Sequence, residues 1–193
     1  GHIIGSAMLH LTRLEGGASL LYTGDFKVRR SRTAEEPVFR QAQTLIMETT
    51  FALPHFVFPS ALEIEAGVLG FVEDALEAGE IPVLFAYSLG KAQEAHAMLH
   101  EHGIRVMLHP TVAKMQKACE LAGMSPFPYE AFDVSAATGR ALVCPPNAVR
   151  SVALRKLKGK RTAMLSGWAM NPGATFRYRT DAAFPLSDHA DHP

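Results

Sequence analysis

Hydrophobic residues fall in short blocks separated by glycine, proline and charge, and the spacing within the blocks changes along the chain. In residues 7–23, MLHLTRL and ASLLYT read as two strands, and Glu15-Gly16-Gly17 supplies the turn chemistry of a hairpin. The uninterrupted apolar run in TLIMET (44–49) predicts a short buried strand. In SALEIEAGVLGFVEDALEAGE the spacing becomes helical. Ser60 with Glu63 three residues on forms a capping box, Leu62, Leu69, Val72 and Leu76 recur on one face, and Gly79 suits the C-terminal cap.

From residue 81 strand and helix patterns alternate. IPVLFAY (81–87) is a buried strand, SLGKAQEAHAMLHEHG a helix ending at Gly103, IRVML a strand, and PTVAKMQKACELAG a helix with Pro110 in its first turn. ALVCP and TAMLSGW add two strands, with the basic stretch VRSVALRKLKGKR between them. Connections this short predict an α/β architecture with a parallel, doubly wound sheet. AAFPLSDHADHP leaves that pattern and reads as a return to a different layer.

The 193 residues carry 19 basic and 19 acidic side chains, which excludes a generically basic nucleic-acid coat; any such contact needs local positive patches. Cys119 and Cys144 lack metal-type spacing and read as free thiols of a reducing cytoplasm. No apolar run is long enough to span a bilayer, so no membrane partner is expected.

Four stretches carry candidate chemistry: GHIIGS with His2, YTGDFK with Asp25, IMETTF with Glu48 and PLSDHAD with His189. Singly, each has an ordinary reading as a turn histidine, a turn-capping aspartate, a core-edge carboxylate or a hydrogen-bonded loop histidine. Together they stand at the ends of predicted strands or in the loops that follow, where α/β sites gather. Imidazole and carboxylate are ligand types that zinc accepts, and one carboxylate can bridge two ions.

In order, spacing and flanking glycines, these stretches resemble the metallo-β-lactamase-fold nucleases of the β-CASP group, over nearly the whole chain. AYSLGKAQEA and AFPLSDHAD look most like the bacterial ligase-associated DNA exonucleases, also labelled mRNA 3′-end processing factors. The resemblance implies part of a metallo-β-lactamase αββα sandwich over 1–50, a doubly wound β-CASP cap domain over 51–166, and a return to the sandwich over 167–193. It implies His2 as a ligand of one zinc, Asp25 as a bridge between two, and Glu48 with His189 as the acid pair across the scissile phosphate. A carboxylate beside an imidazole favours the protonated ring, which can donate to the leaving oxygen. Asp191 is expected to orient the SDHAD loop rather than touch metal.

The implied activity is a zinc-dependent phosphodiesterase on nucleic acid, a DNA exonuclease in repair first. An RNA-processing nuclease and a catalytically silent scaffold are the alternatives. The implied partners are DNA ahead of RNA and the ligase and helicase machinery of repair. The group's His-x-His-x-Asp-His motif belongs ahead of GHIIGS and is absent from this sequence. The chain therefore reads as a piece of a longer frame, expected neither to retain zinc tightly nor to cleave by itself.

Lys27, Arg29 and Arg30 of KVRRSR follow Asp25 directly and are expected along a nucleic-acid strand, as are Ser187 and the pair Arg177 and Arg179. Lys91, opening a helix after a strand, is expected at a substrate phosphate with the helix's free N–H groups. Two further patterns read as decoys. SDHADH resembles a degenerate metal motif but lies after the fourth motif, which leaves His192 solvent-exposed. HAMLHEHG places His96, His100 and His102 on a polar helix face, with Ala97 where a zinc-protease helix needs glutamate.

Overall fold

Along Ile81–Phe85 (β4), Val83 and Phe85 point into one apolar cluster and Leu84 into another, so this fully buried strand divides two cores. The computed structural model describes residues 1–191, and the expectation for His192 lies outside them. The chain is α/β. Six strands form one parallel sheet in the order β6-β5-β7-β4-β8-β9, with β5 at Val106–Leu108, β6 at Glu130–Ala131, β7 at Ala141–Cys144, β8 at Lys160–Leu165 and β9 at Ala182–Phe184.

That order fixes which face each helix covers. Going from β4 to β5 and on to β6 the chain moves one way across the sheet, and right-handed crossovers put helices α2 (Lys91–Glu101) and α3 (Pro110–Leu121) on one face with α1 (Ala61–Glu77). Going from β7 to β8 it moves the other way, and α4 (Val152–Lys156) lands on the opposite face. The expected doubly wound sheet is therefore present. Loops of opposite direction leave the carboxyl ends of β4 and β7, which makes that edge the switch point where α/β ligands gather.

Ser60 and Glu63 close the capping box reciprocally, and Gly79 follows the last turn in the left-handed region. The buried stripe of α1 differs from the one expected: Ile64, Val68, Leu69, Val72 and Ala75 face the sheet, whereas Leu62 is 77% exposed. The helix lies close enough to β9 that a Cβ on Gly67 would come within 3.1 Å of Phe184, and Leu62 projects away from that contact.

β1 (Leu9–Thr12), β2 (Ser19–Tyr22) and β3 (Thr44–Ile46) form a separate sheet, antiparallel between the first two and parallel between the last two. The hairpin is as expected. The burial of β3 is not, because all three of its residues are exposed, Leu45 by 55%. β9 is a second correction. Expected in a returning layer, it extends the six-stranded sheet beside β8, so the chain leaves that sheet only after Phe184.

The two cysteines are free and buried, and burial pushes the Cys144 thiol up to about 12. Both should resist a soluble disulfide reagent in the native protein and react at once in denaturant. Fast native labelling of Cys144 would contradict the closed β7 core. No helix among the described residues is long and apolar enough to cross a membrane.

Candidate metal and nucleic-acid site

The register of the small sheet brings its three candidate residues to one edge. Leu9 lies opposite Tyr22, and Tyr22 opposite Ile46, so the chain before β1 and the chains after β2 and β3 all leave from the same side. His2 sits in the first of these segments, in a turn closed by Ser6, whose Oγ accepts from the Ile3 amide at 3.0 Å. Asp25 follows Gly24, whose φ of 57° turns the chain off the end of β2. Glu48 lies just past β3. The loop after β9 brings His189 to the same place from the second sheet.

These four side chains meet. His189 Nδ1 donates to Glu48 Oε2 at 2.8 Å, the His2 and His189 ring centroids are 4.6 Å apart, and His2 Nε2 is 3.9 Å from Asp25 Oδ2. His2, Asp25 and His189 each offer one ligand atom within 4.8 Å of the others. His2 Nδ1 donates to the Asp188 carbonyl at 2.9 Å. With both Nδ1 atoms engaged by oxygen acceptors, both rings keep Nε2 free, the arrangement of histidines that bind metal or move a proton. The 3.9 Å between His2 and Asp25 is too long for a hydrogen bond, and it suits two donors flanking a common ion. The His2 imidazole and the 54% exposed Asp25 carboxylate are therefore zinc-type donors at a separation that two ligands of one ion can have, with the His189 ring beside them.

Glu48 is the most constrained of the four. Burial alone pushes its carboxyl up. Donation from the Thr50 hydroxyl at 2.6 Å and the Phe26 amide at 2.8 Å, with His189 beside it, outweighs burial and holds its pKa below the ordinary glutamate range. Thr50, two residues beyond Glu48 in the same stretch, is a contributor that the sequence reading missed.

Lys27, Arg29, Arg30, Ser187, His189 and Asp191 line one cleft beside this cluster. Several of these groups are already engaged. Arg29 lies 2.5 Å from Asp191 and donates to the carbonyls of Phe58 and Pro59. Ser187 Oγ accepts from the His189 amide at 3.0 Å, which shapes the loop. Arg30 is exposed and Lys27 largely buried. Asp191 also bridges by its backbone to Phe51 and lies outside the candidate ligand set.

Lys91 stands elsewhere than expected. Its ammonium is buried against Asp188 at 2.5 Å, and Ile3 and Asp188 pack on the preceding Gly90, whose own amide donates to Gln93. The first turn of α2 is thus closed by protein rather than open to a phosphate. His96 is also corrected: it is fully buried between Gln116 and the Pro128 carbonyl, and that burial holds its pKa below the ordinary histidine value. The loop through Phe127 and Tyr129 stacks over it and covers the helix face expected to be polar. Arg177 and Arg179 flank Tyr178 in and just after α5 (Ala174–Tyr178), outside the cleft.

Fold and site together define an α/β chain with a histidine–carboxylate cluster at the meeting edges of two sheets. No family model matches the chain. It is 48% identical over 192 residues, the whole of its length, to a probable DNA ligase from Opitutus terrae, of which it covers 19%. It is 36% identical over 104 residues to the transcription termination factor FttA of Methanothermobacter thermautotrophicus, and 37% over 103 residues to that of Methanocaldococcus jannaschii. Those matches cover 53% and 52% of this chain and 16% of each factor, so the chain spans a fifth or less of these relatives.

Proposed function

We propose that this chain is a segment of a metal-dependent phosphodiesterase of the metallo-β-lactamase-fold β-CASP group that acts on nucleic acid, with DNA as its substrate. The observation that carries the reading is the convergence of residues 2, 25, 48 and 189, from two sheets, on one cluster beside a basic cleft. Under it, residues 1–50 and the end of the chain belong to the lactamase core, and the six-stranded sheet belongs to the cap.

His2 and Asp25 would hold the metal, an arrangement that needs donors beyond these two residues. Zinc, when bound, supplies charge stabilisation at a phosphoryl oxygen and an acidified water. This chain's part in the chemistry is proton movement. Glu48 accepts the Nδ1–H of His189 and would stabilise the ring in its imidazolium form, with hydrogen on both nitrogens; the Nε2 proton would pass to the departing oxygen and leave the ring neutral. Exposed Arg30 at the cleft offers positive charge to the strand backbone, whereas Lys27 is buried away from it.

A relative matched along the whole chain is named a probable DNA ligase, which favours DNA and a place beside DNA-joining enzymes. The termination factors, matched over about half the chain, favour RNA as a second reading. End-labelled single-stranded DNA and RNA of one sequence, given to the complete protein with and without chelator, separate these readings. Chelator-sensitive loss of DNA is expected. Cleavage of RNA alone transfers the assignment to RNA, and a zinc-loaded protein that cuts neither is a scaffold.

A further inference from the structure

We propose that Lys91 is a positioning residue that sets the orientation of His2 through Asp188; the inference rests on reading His2 as a metal ligand. Lys91 and Asp188 form an ion pair at 2.5 Å with both side chains 7% exposed. The same Asp188 turns its backbone carbonyl to His2 Nδ1 at 2.9 Å. One residue thus receives a charge from the six-stranded side through its carboxylate and fixes an imidazole of the small-sheet side through its carbonyl.

The strut is anchored at both ends. Gly90 has a φ of 86°, and a Cβ there would come within 2.4 Å of Ile3 Cγ2 and 3.1 Å of Asp188 Oδ2, so helix, loop and the His2 turn touch without slack. One turn further along α2, buried Glu94 accepts from the Ser31 hydroxyl at 2.7 Å, the Arg32 amide at 3.0 Å and the Thr33 hydroxyl at 3.1 Å, which ties the helix to the segment after Asp25. Lys91 cannot serve as a freely swinging phosphate ligand while its ammonium is held this way. What it does is fix the Asp188 carbonyl. That carbonyl keeps hydrogen on His2 Nδ1 and leaves Nε2 as the lone-pair atom facing Asp25.

The test uses the complete protein, stripped of metal, with ¹⁵N-labelled histidine. In the wild type His2 should appear as the Nδ1–H tautomer. In Lys91→Met that signal should be lost or mixed, and zinc affinity, measured by competition with a chromophoric chelator, should fall about 10–100-fold. Lys91→Arg, which keeps the charge, should recover most of both. A folded Lys91→Met protein with an unchanged His2 tautomer and zinc affinity within twofold of wild type overturns the proposal, as does a wild-type His2 protonated on Nε2. If Lys91→Met does not fold, the double variant Lys91→Met/Asp188→Asn removes the unpaired buried charge and is judged on the same two readouts. Neither readout uses nucleic acid. A protein that passes both and cleaves nothing refutes the nuclease reading while supporting this one.

Discussion

Glu48→Gln in the complete protein is expected to lower the rate of strand cleavage by about 10²–10⁴-fold, with zinc content unchanged. Glu48 accepts three hydrogen bonds, from Thr50, Phe26 and His189, and an amide can keep its oxygen toward only part of that set. The NH₂ group would face either the Phe26 amide at the Oε1 position or Thr50 and His189 together at the Oε2 position, and in both cases His189 loses the charge that steadies proton transfer. The sign of the accompanying pH effect follows from the depressed pKa. Stabilisation by the Glu48 carboxylate is full above the unfolded value of about 4.3 and is lost as acid carries the pH down through the folded value. Wild type should therefore lose stability more steeply than the variant below that point. Equal rates for the two proteins at neutral pH would remove Glu48 and His189 from the chemistry.

Phe51→Ala should have the largest effect on stability, a loss of about 3–5 kcal/mol in urea denaturation, with cleavage falling alongside. Phe51 is 2% exposed and packs edge-on to Phe56 and Phe58, each at 5.1 Å between centroids, with Trp168 at 4.9 Å and the His189 ring at 6.1 Å. Gly167 leaves it no spare room: a Cβ there would sit 2.5 Å from Phe51 Cζ. The truncated side chain would leave a cavity beneath the SDHAD loop, beside the backbone bridge between Phe51 and Asp191. Leu62→Ala, at an exposed position of α1, should change stability by less than about 0.5 kcal/mol. Similar losses from both substitutions would mean that the aromatic cluster is not the support it looks to be.

What was legible in the sequence was whatever a local pattern decides. Ser60 and Glu63 announce their helix because the cap is made within four residues, and IPVLF announces a central strand because both its faces are apolar. What was not legible depends on partners far along the chain. β3 has the composition of a buried strand, yet Leu45 is 55% exposed. β9 is three residues, too short for a periodic signal, and joins the sheet only because β8 presents an open edge. In the site, the motifs marked His2, Asp25, Glu48 and His189, and the strand register accounts for how they meet. Lys91 is different. A lysine at a helix start after a strand looks like a phosphate contact, and only the tertiary arrangement reveals Asp188 in the way. Asp188 stands inside the SDHAD stretch, and an aspartate directly before a ligand-type histidine was the available signal. Glu94 offered a weaker one, as an acid among alanines in the first turn of a buried helix.

The most direct test is an anomalous-difference map at the zinc edge from crystals of the complete protein. The account predicts a peak bonded to His2 Nε2 and the Asp25 carboxylate, with the His189–Glu48 pair intact beside it. A protein that binds zinc through other residues, leaving His2 and Asp25 in separate surroundings, would contradict it.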